Sequence, residues 1–281
     1  FSRHLHRAKY ARYVRARERE LRATEFPAGV LKLPGCARVD PVPRVSGAPS
    51  RPATPCVLKR GCWTSLSSWT LDWWQREHGD WLWRAWSRCP AFEQDAGPES
   101  VSIEARIGDY IDYARTLQYN DPACVEEDAV AYPRVRMEDW PCFRAGSLWE
   151  YFRAHWKDLS PTGLEDLTPE WVQRLCLRLD IDWQEWLSRY FKVSFAGPGC
   201  ISRLRKENSG AHMWLNQLEG QQLVILFPPE DSDKLHEMVG GRVDGAEGYA
   251  AFASPVDIFY PNLRRHPLFG STKAQVALLQ A

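Results

Sequence analysis

Residues 197–235 read GPGCISRLRKENSGAHMWLNQLEGQQLVILFPPEDSDKL. Ile201 to Leu204, Met213 to Leu218 and Leu223 to Phe227 are short runs rich in apolar or aromatic residues. Gly, Pro and Asn separate them, which is the punctuation of strands rather than of a helix. Tyr190 to Phe195, just upstream, has the same character. Glu219-Gly220 falls where a tight turn belongs. Pro229-Glu230-Asp231 then opens a short helix expected to run through Met238.

Toward the N-terminus the apolar period lengthens. Trp69 to Gly79 reads as a short helix, with Thr70 as N-cap and Gly79 as the stop. Ser100 to Ile103 reads as a strand. Ile107 to Leu117 reads as a helix with Ile107, Tyr110, Ile111 and Ala114 on one face. Ser147-Leu148-Trp149-Glu150 has capping-box spacing and opens a helix to about Trp156. Thr168-Pro169-Glu170 carries an N-cap and a Pro at the first helical position, opening a helix to about Leu179. Helices first and strands second imply an α+β fold, with a β-barrel or sandwich in the C-terminal half.

The chain has 281 residues, with Lys+Arg 36 balancing Asp+Glu 36. Zero net charge argues against a generic nucleic-acid binder, which carries a basic excess. The exception is a basic segment, residues 1–26, whose bland reading is a solvated helical tail and whose sharper one is a patch for acidic partners. Residues 27–55 are Pro-rich and read as a linker or a wrapping arm. Residues 56–189 form a helical portion and 190–281 a β core. No apolar run approaches the roughly 18 residues of a membrane span, and no signal peptide is visible, so an intracellular compartment is expected. The eight cysteines form no C-x-x-C pair, and free thiols are expected. The chain starts at Phe1 and stops at Ala281 within an apolar run, and it reads as a fragment.

From Gly197 to Pro229 the chain resembles the Jumonji C (JmjC), cupin-like hydroxylases. Gln217, Gly220, Leu226, Phe227, Pro228 and Pro229 fall in the register of that family's Q-x-x-G strand and the strand that runs into L-F-P-P. Ser254-Pro255-Val256-Asp257 and Tyr260-Pro261 resemble its S-x-x-D and aromatic-Pro segments. Trp69-Thr70 and His78-Gly79-Asp80 resemble its N-terminal W-T and G-D elements. The resemblance implies a double-stranded β-helix with helical additions. It also implies Fe(II) held by two His and one carboxylate, 2-oxoglutarate as cosubstrate, and hydroxylation or demethylation of a protein side chain. A protein substrate or partner follows; a membrane partner does not.

Set against that pattern, Arg205 stands at the first iron-binding His. Glu207 holds the carboxylate position. Ser202 and Gln222 are neighbours of the cosubstrate position, and His212, Trp214 and Gln217 are expected on the pocket wall. The distal His lies beyond the residues present, because Val276 to Leu279 resembles the strand before it. A guanidinium has no lone pair for a metal, so Arg205 is not a ligand. Arg205 and Glu207, two apart on a strand, share a face and are expected to pair where a metal would sit. Two readings follow. In one the chain is a 2-oxoglutarate oxygenase that needs a His at this position. In the other it is a non-catalytic binding or scaffold module.

Remaining candidates have ordinary explanations. His78-Gly79-Asp80 spells H-x-D at a helix end, where it is a decoy. His236 and His266 are expected at the surface. Seven Trp between Trp63 and Trp86 invite an aromatic cage for methylated ammonium groups, but Trp at such spacing more often packs helices onto a sheet.

Overall fold

The computed structural model describes residues 33, 35–46, 54–58, 66, 68–87, 101–119, 135–144, 146–155, 170–197, 200, 202, 204–206, 213–236, 252–256, 258 and 261–281. It mixes helices with mainly antiparallel sheets, as an α+β chain does. The strands do not wait for the helices, however. A four-stranded antiparallel sheet forms from β4 (Leu82–Ser87), β5 (Val101–Arg106), β6 (Val135–Trp140) and β7 (Val193–Ala196), in the order β5-β4-β6-β7. Three of these strands lie in the stretch expected to be mainly helical: β5 overlaps the strand expected at Ser100 to Ile103, whereas β4 and β6 were not expected, and long-range pairing decided their state.

The helices α1 (Leu71–His78), α2 (Ile107–Tyr119) and α3 (Gly146–His155) join this sheet around one aromatic core. Thr70 caps α1 as expected, its hydroxyl accepting from the Trp73 N–H at 3.2 Å. Gly79 ends α1 in a right-handed conformation instead of the left-handed stop expected from sequence. Its carbonyl accepts from the Gly108 N–H at 2.9 Å, and a side chain on Gly108 would crowd that contact. On α2 the four residues Ile107, Tyr110, Ile111 and Ala114 are all buried, as their spacing requires. Trp69, Trp74, Trp140, Phe143, Phe152 and Phe195 fill the core. Trp74 touches five rings, those of Trp69, Trp73, His78, Trp140 and Phe195, with centroids 4.9–5.6 Å away. That is packing, not an open cage.

Two further helices, α4 (Glu170–Arg178) and α5 (Trp183–Ser188), lead into β7. Thr168 and Pro169, the expected start signal of α4, lie outside the described residues, as do residues 1–26. Within the Pro-rich arm, β1 (Arg38–Pro41) pairs in parallel with β11 (Lys273–Gln280), and β2 (Arg44–Val45) pairs with β3 (Val57–Leu58). The arm therefore wraps onto the C-terminal sheet. β11 pairs antiparallel with β9 (Gln221–Leu226), placing Val276 opposite Ile225 and Leu279 opposite Gln222. A short antiparallel pair joins β8 (Arg205–Lys206) to β10 (Phe252–Ala253). Pro229–Leu235 forms a 3-10 turn, a little shorter than the expected helix.

Met213 to Leu218 forms no strand. This segment instead turns toward α1. The Gln217 side-chain amide donates to the Glu219 carbonyl at 2.7 Å, and the Glu219 carboxylate accepts from the Leu71 N–H at 2.7 Å. A carboxylate there satisfies an otherwise orphaned donor and complements the helix dipole. Gly220 (φ +77°) then turns the chain into β9. Among the described residues, Cys36, Cys56, Cys142, Cys176 and Cys200 are free thiols. No helix among them is long and apolar enough to cross a membrane.

Candidate functional site

The site begins with a defect in β6. Met137 pairs with Phe195 and Trp140 with Val193, so three steps along β6 oppose two along β7. One extra residue makes a β-bulge. In a regular strand Met137 and Trp140 would face opposite sides, because their separation is odd. The bulge lets both enter the core, and both are buried. The backbone accommodates it at Asp139, which has φ +55°. Positive φ is uncommon outside Gly, and Asp is among the residues that tolerate it best. The Asp139 N–H donates to the Ser194 hydroxyl at 3.0 Å. Bulges next to functional sites often re-aim side chains, and here the two re-aimed residues are carboxylates.

Glu138 is buried, its side chain only 3% exposed. One of its oxygens lies 2.5 Å from Arg136 Nε, and the other 3.6 Å from Arg205 Nη1. Asp139, at the rim, accepts a hydrogen bond from Arg205 Nη2 at 3.3 Å. The Ser202 hydroxyl donates to Glu138 Oε1 at 3.2 Å. Cys200 Sγ contacts the Val135 carbonyl at 3.2 Å, so Cys200, Ser202 and Arg205 each make a polar contact with β6. A buried carboxylate is tolerable only when paired and hydrogen-bonded, and Glu138 has two guanidinium groups and a hydroxyl.

The structure thus brings together two of the residues singled out from sequence, Ser202 and Arg205. Ser202 faces a protein carboxylate. Gln222 stands on β9 opposite Leu279, and Gln217 spends its amide on the Glu219 carbonyl. Trp214 is half-buried in the segment that precedes β9. Glu207 and His212 lie outside the described residues, so the expected Arg205–Glu207 pair does too. The observed partners of Arg205 come from β6. Sequence reading passed over Glu138 and Asp139. Their signal was a pair of adjacent acids enclosed by Met137 and Trp140.

Other histidines are placed plainly. His78 closes α1 inside the core, its ring 5.0 Å from Trp73 and 4.9 Å from Trp81. Burial lowers its pKa from the ordinary value, and nearby Glu77 offsets part of that. Asp80 pairs instead with Arg106, so the H-x-D spelling makes no site. His236 and His266 are not surface residues. His266 is buried and His236 half-buried, their rings 4.8 Å apart. The turn that Pro267 imposes folds the His266 ring inward. Burial also pushes the Cys142 thiol up, away from reactivity. Among the described residues no group of three or more His, Cys, Asp or Glu is placed to hold a metal ion.

Arg205, which the resemblance sets at the first iron-binding His, is a guanidinium engaged by two carboxylates, and it has no lone pair to offer Fe(II). No family model matches the chain, and no curated protein matches it.

Proposed function

We propose that this chain is a non-catalytic relative of the JmjC, cupin-like hydroxylases, a module that binds a protein partner on a double-stranded β-helix framework. One observation carries the reading: the Arg205 guanidinium, at the first metal position, is held by Glu138 and Asp139. Support for the framework comes from the Gly197 to Pro229 motif and from β9, which contains its Leu226 and pairs antiparallel with β11. In this reading the Ser202 hydroxyl serves as a donor to Glu138 and binds no cosubstrate. Gln222 brings no charge to the position where a carboxylate of 2-oxoglutarate would need one.

The test is turnover. Incubated anaerobically with Fe(II), then with 2-oxoglutarate and oxygen, the protein forms no succinate above a protein-free control. Succinate formed catalytically, and lost on Arg205→Ala, would overturn the proposal in favour of the oxygenase reading.

A further inference from the structure

We infer that the bulged Glu138–Asp139 pair is a receptor for a guanidinium group, and that its resident ligand is Arg205 of the same chain. The inference deepens the functional reading above. It rests on that reading only for equating this position with a metal site, since the contacts stand by themselves.

Three observations converge. The first is geometry. Nη1 of Arg205 faces Glu138 at 3.6 Å and Nη2 faces Asp139 at 3.3 Å, so one planar fork meets two carboxylates from consecutive residues. Consecutive strand residues normally point to opposite faces. Only the bulge, with Asp139 in a left-handed conformation, lets both attend the same group. The second is charge. Among the described residues Arg136 and Arg205 balance Glu138 and Asp139, two against two, which leaves these four groups no excess negative charge to draw a divalent cation. The third is burial. Arg205 is 22% exposed and Glu138 3%, so the occupant is seated and not merely resting on the surface. A guanidinium stays charged at any ordinary pH and its fork matches carboxylates, whereas an ammonium offers a point charge.

Chemical rescue tests this. Arg205→Ala empties the receptor and should lower Tm by on the order of 10 °C, because it leaves the Glu138 carboxylate short of a partner. Millimolar guanidinium chloride, far below denaturing concentration, should then raise Tm by roughly 3 °C, as any ligand of the native state does. Equimolar ammonium chloride, sodium chloride or anaerobic Fe(II) should not. Arg205→Lys should recover less than half of the lost Tm. Rescue by Fe(II) equal to or better than by guanidinium would overturn the assignment and mark a metal site. No fall in Tm, or a fall that no guanidinium reverses, would overturn the receptor. If Arg205→Ala does not accumulate as folded protein, the double variant Glu138→Gln with Arg205→Met decides. It should melt closer to wild type than Glu138→Gln alone, and a double variant no better than that single one overturns the pairing. Iron bound by the wild-type protein would instead break the functional reading while leaving these contacts in place.

Discussion

Replacing Trp74 with Ala tests whether the Trp-rich region is a core or a ligand cage. Trp74 is 1% exposed and its ring meets five others at 4.9–5.6 Å, three of the contacts near 83° and edge-on. Truncating a buried Trp to Ala costs about 3–5 kcal/mol. Edge-on aromatic pairs add about 0.5–1.5 kcal/mol each beyond area, which places this site near the upper end. A loss of about 5 kcal/mol is a large part of a total stability of about 5–15 kcal/mol. With a urea m-value of about 3 kcal/mol/M, the midpoint should fall by about 1.5 M with m unchanged. Urea titration followed by circular dichroism at 222 nm measures it. A midpoint shift below about 0.3 M, roughly 1 kcal/mol, would refute the packing argument and reopen the cage reading.

Other outcomes follow from the titrating groups. His78 has a lowered pKa because burial disfavours its charged form, with Glu77 opposing. The unfolded chain therefore takes up a proton near pH 6.5 that the native state refuses, so Tm should fall as pH drops through that value; His78→Phe should flatten this limb, and an unchanged slope would refute the assignment. Asp231 behaves oppositely. Burial raises its pKa, but hydrogen bonds from Lys234 Nζ at 2.6 Å and the Lys273 N–H at 2.8 Å outweigh that and hold it below the usual carboxylate range. Its contribution is present above about pH 4 and is lost as pH falls through the lowered value. Asp231→Asn should cost about 1.5–3 kcal/mol at pH 7 and shrink the acid limb of a stability–pH curve; equal loss for both proteins at pH 7 and pH 2 would contradict it.

Several local signals were legible, although Ser147 lies inside α3, which starts at Gly146, and Gly79 is not a left-handed stop; long-range signals were not. Thr70 caps α1 and the Ile107 face of α2 is buried, because both depend on neighbours within a turn. The apolar run Val276 to Leu279 is a strand, as read. β6 escaped, since V-R-M-E-D-W neither alternates nor repeats at helical spacing. The bulge that explains it exists only against β7, some 55 residues away. For the same reason the Arg205 contact with Asp139, 66 residues back on β6, was not legible, while Glu207, the partner expected from sequence, lies outside the described residues. Met213 to Leu218 looked like a strand because its composition is right. Its Gln217 amide instead donates to the Glu219 carbonyl, and Glu219, just beyond the segment, caps the start of α1. His266 looked exposed beside a Pro, but a turn can point a ring inward as readily as outward.

The central claim is that a guanidinium takes the place of a metal at Arg205. Its most direct test is metal stoichiometry. The purified wild-type protein, incubated anaerobically with excess Fe(II), desalted and analysed for iron, should carry far less than one iron per chain, and Arg205→Lys should be no different. One iron per wild-type chain, displaced by a chelator and accompanied by a matching rise in Tm, would contradict the account.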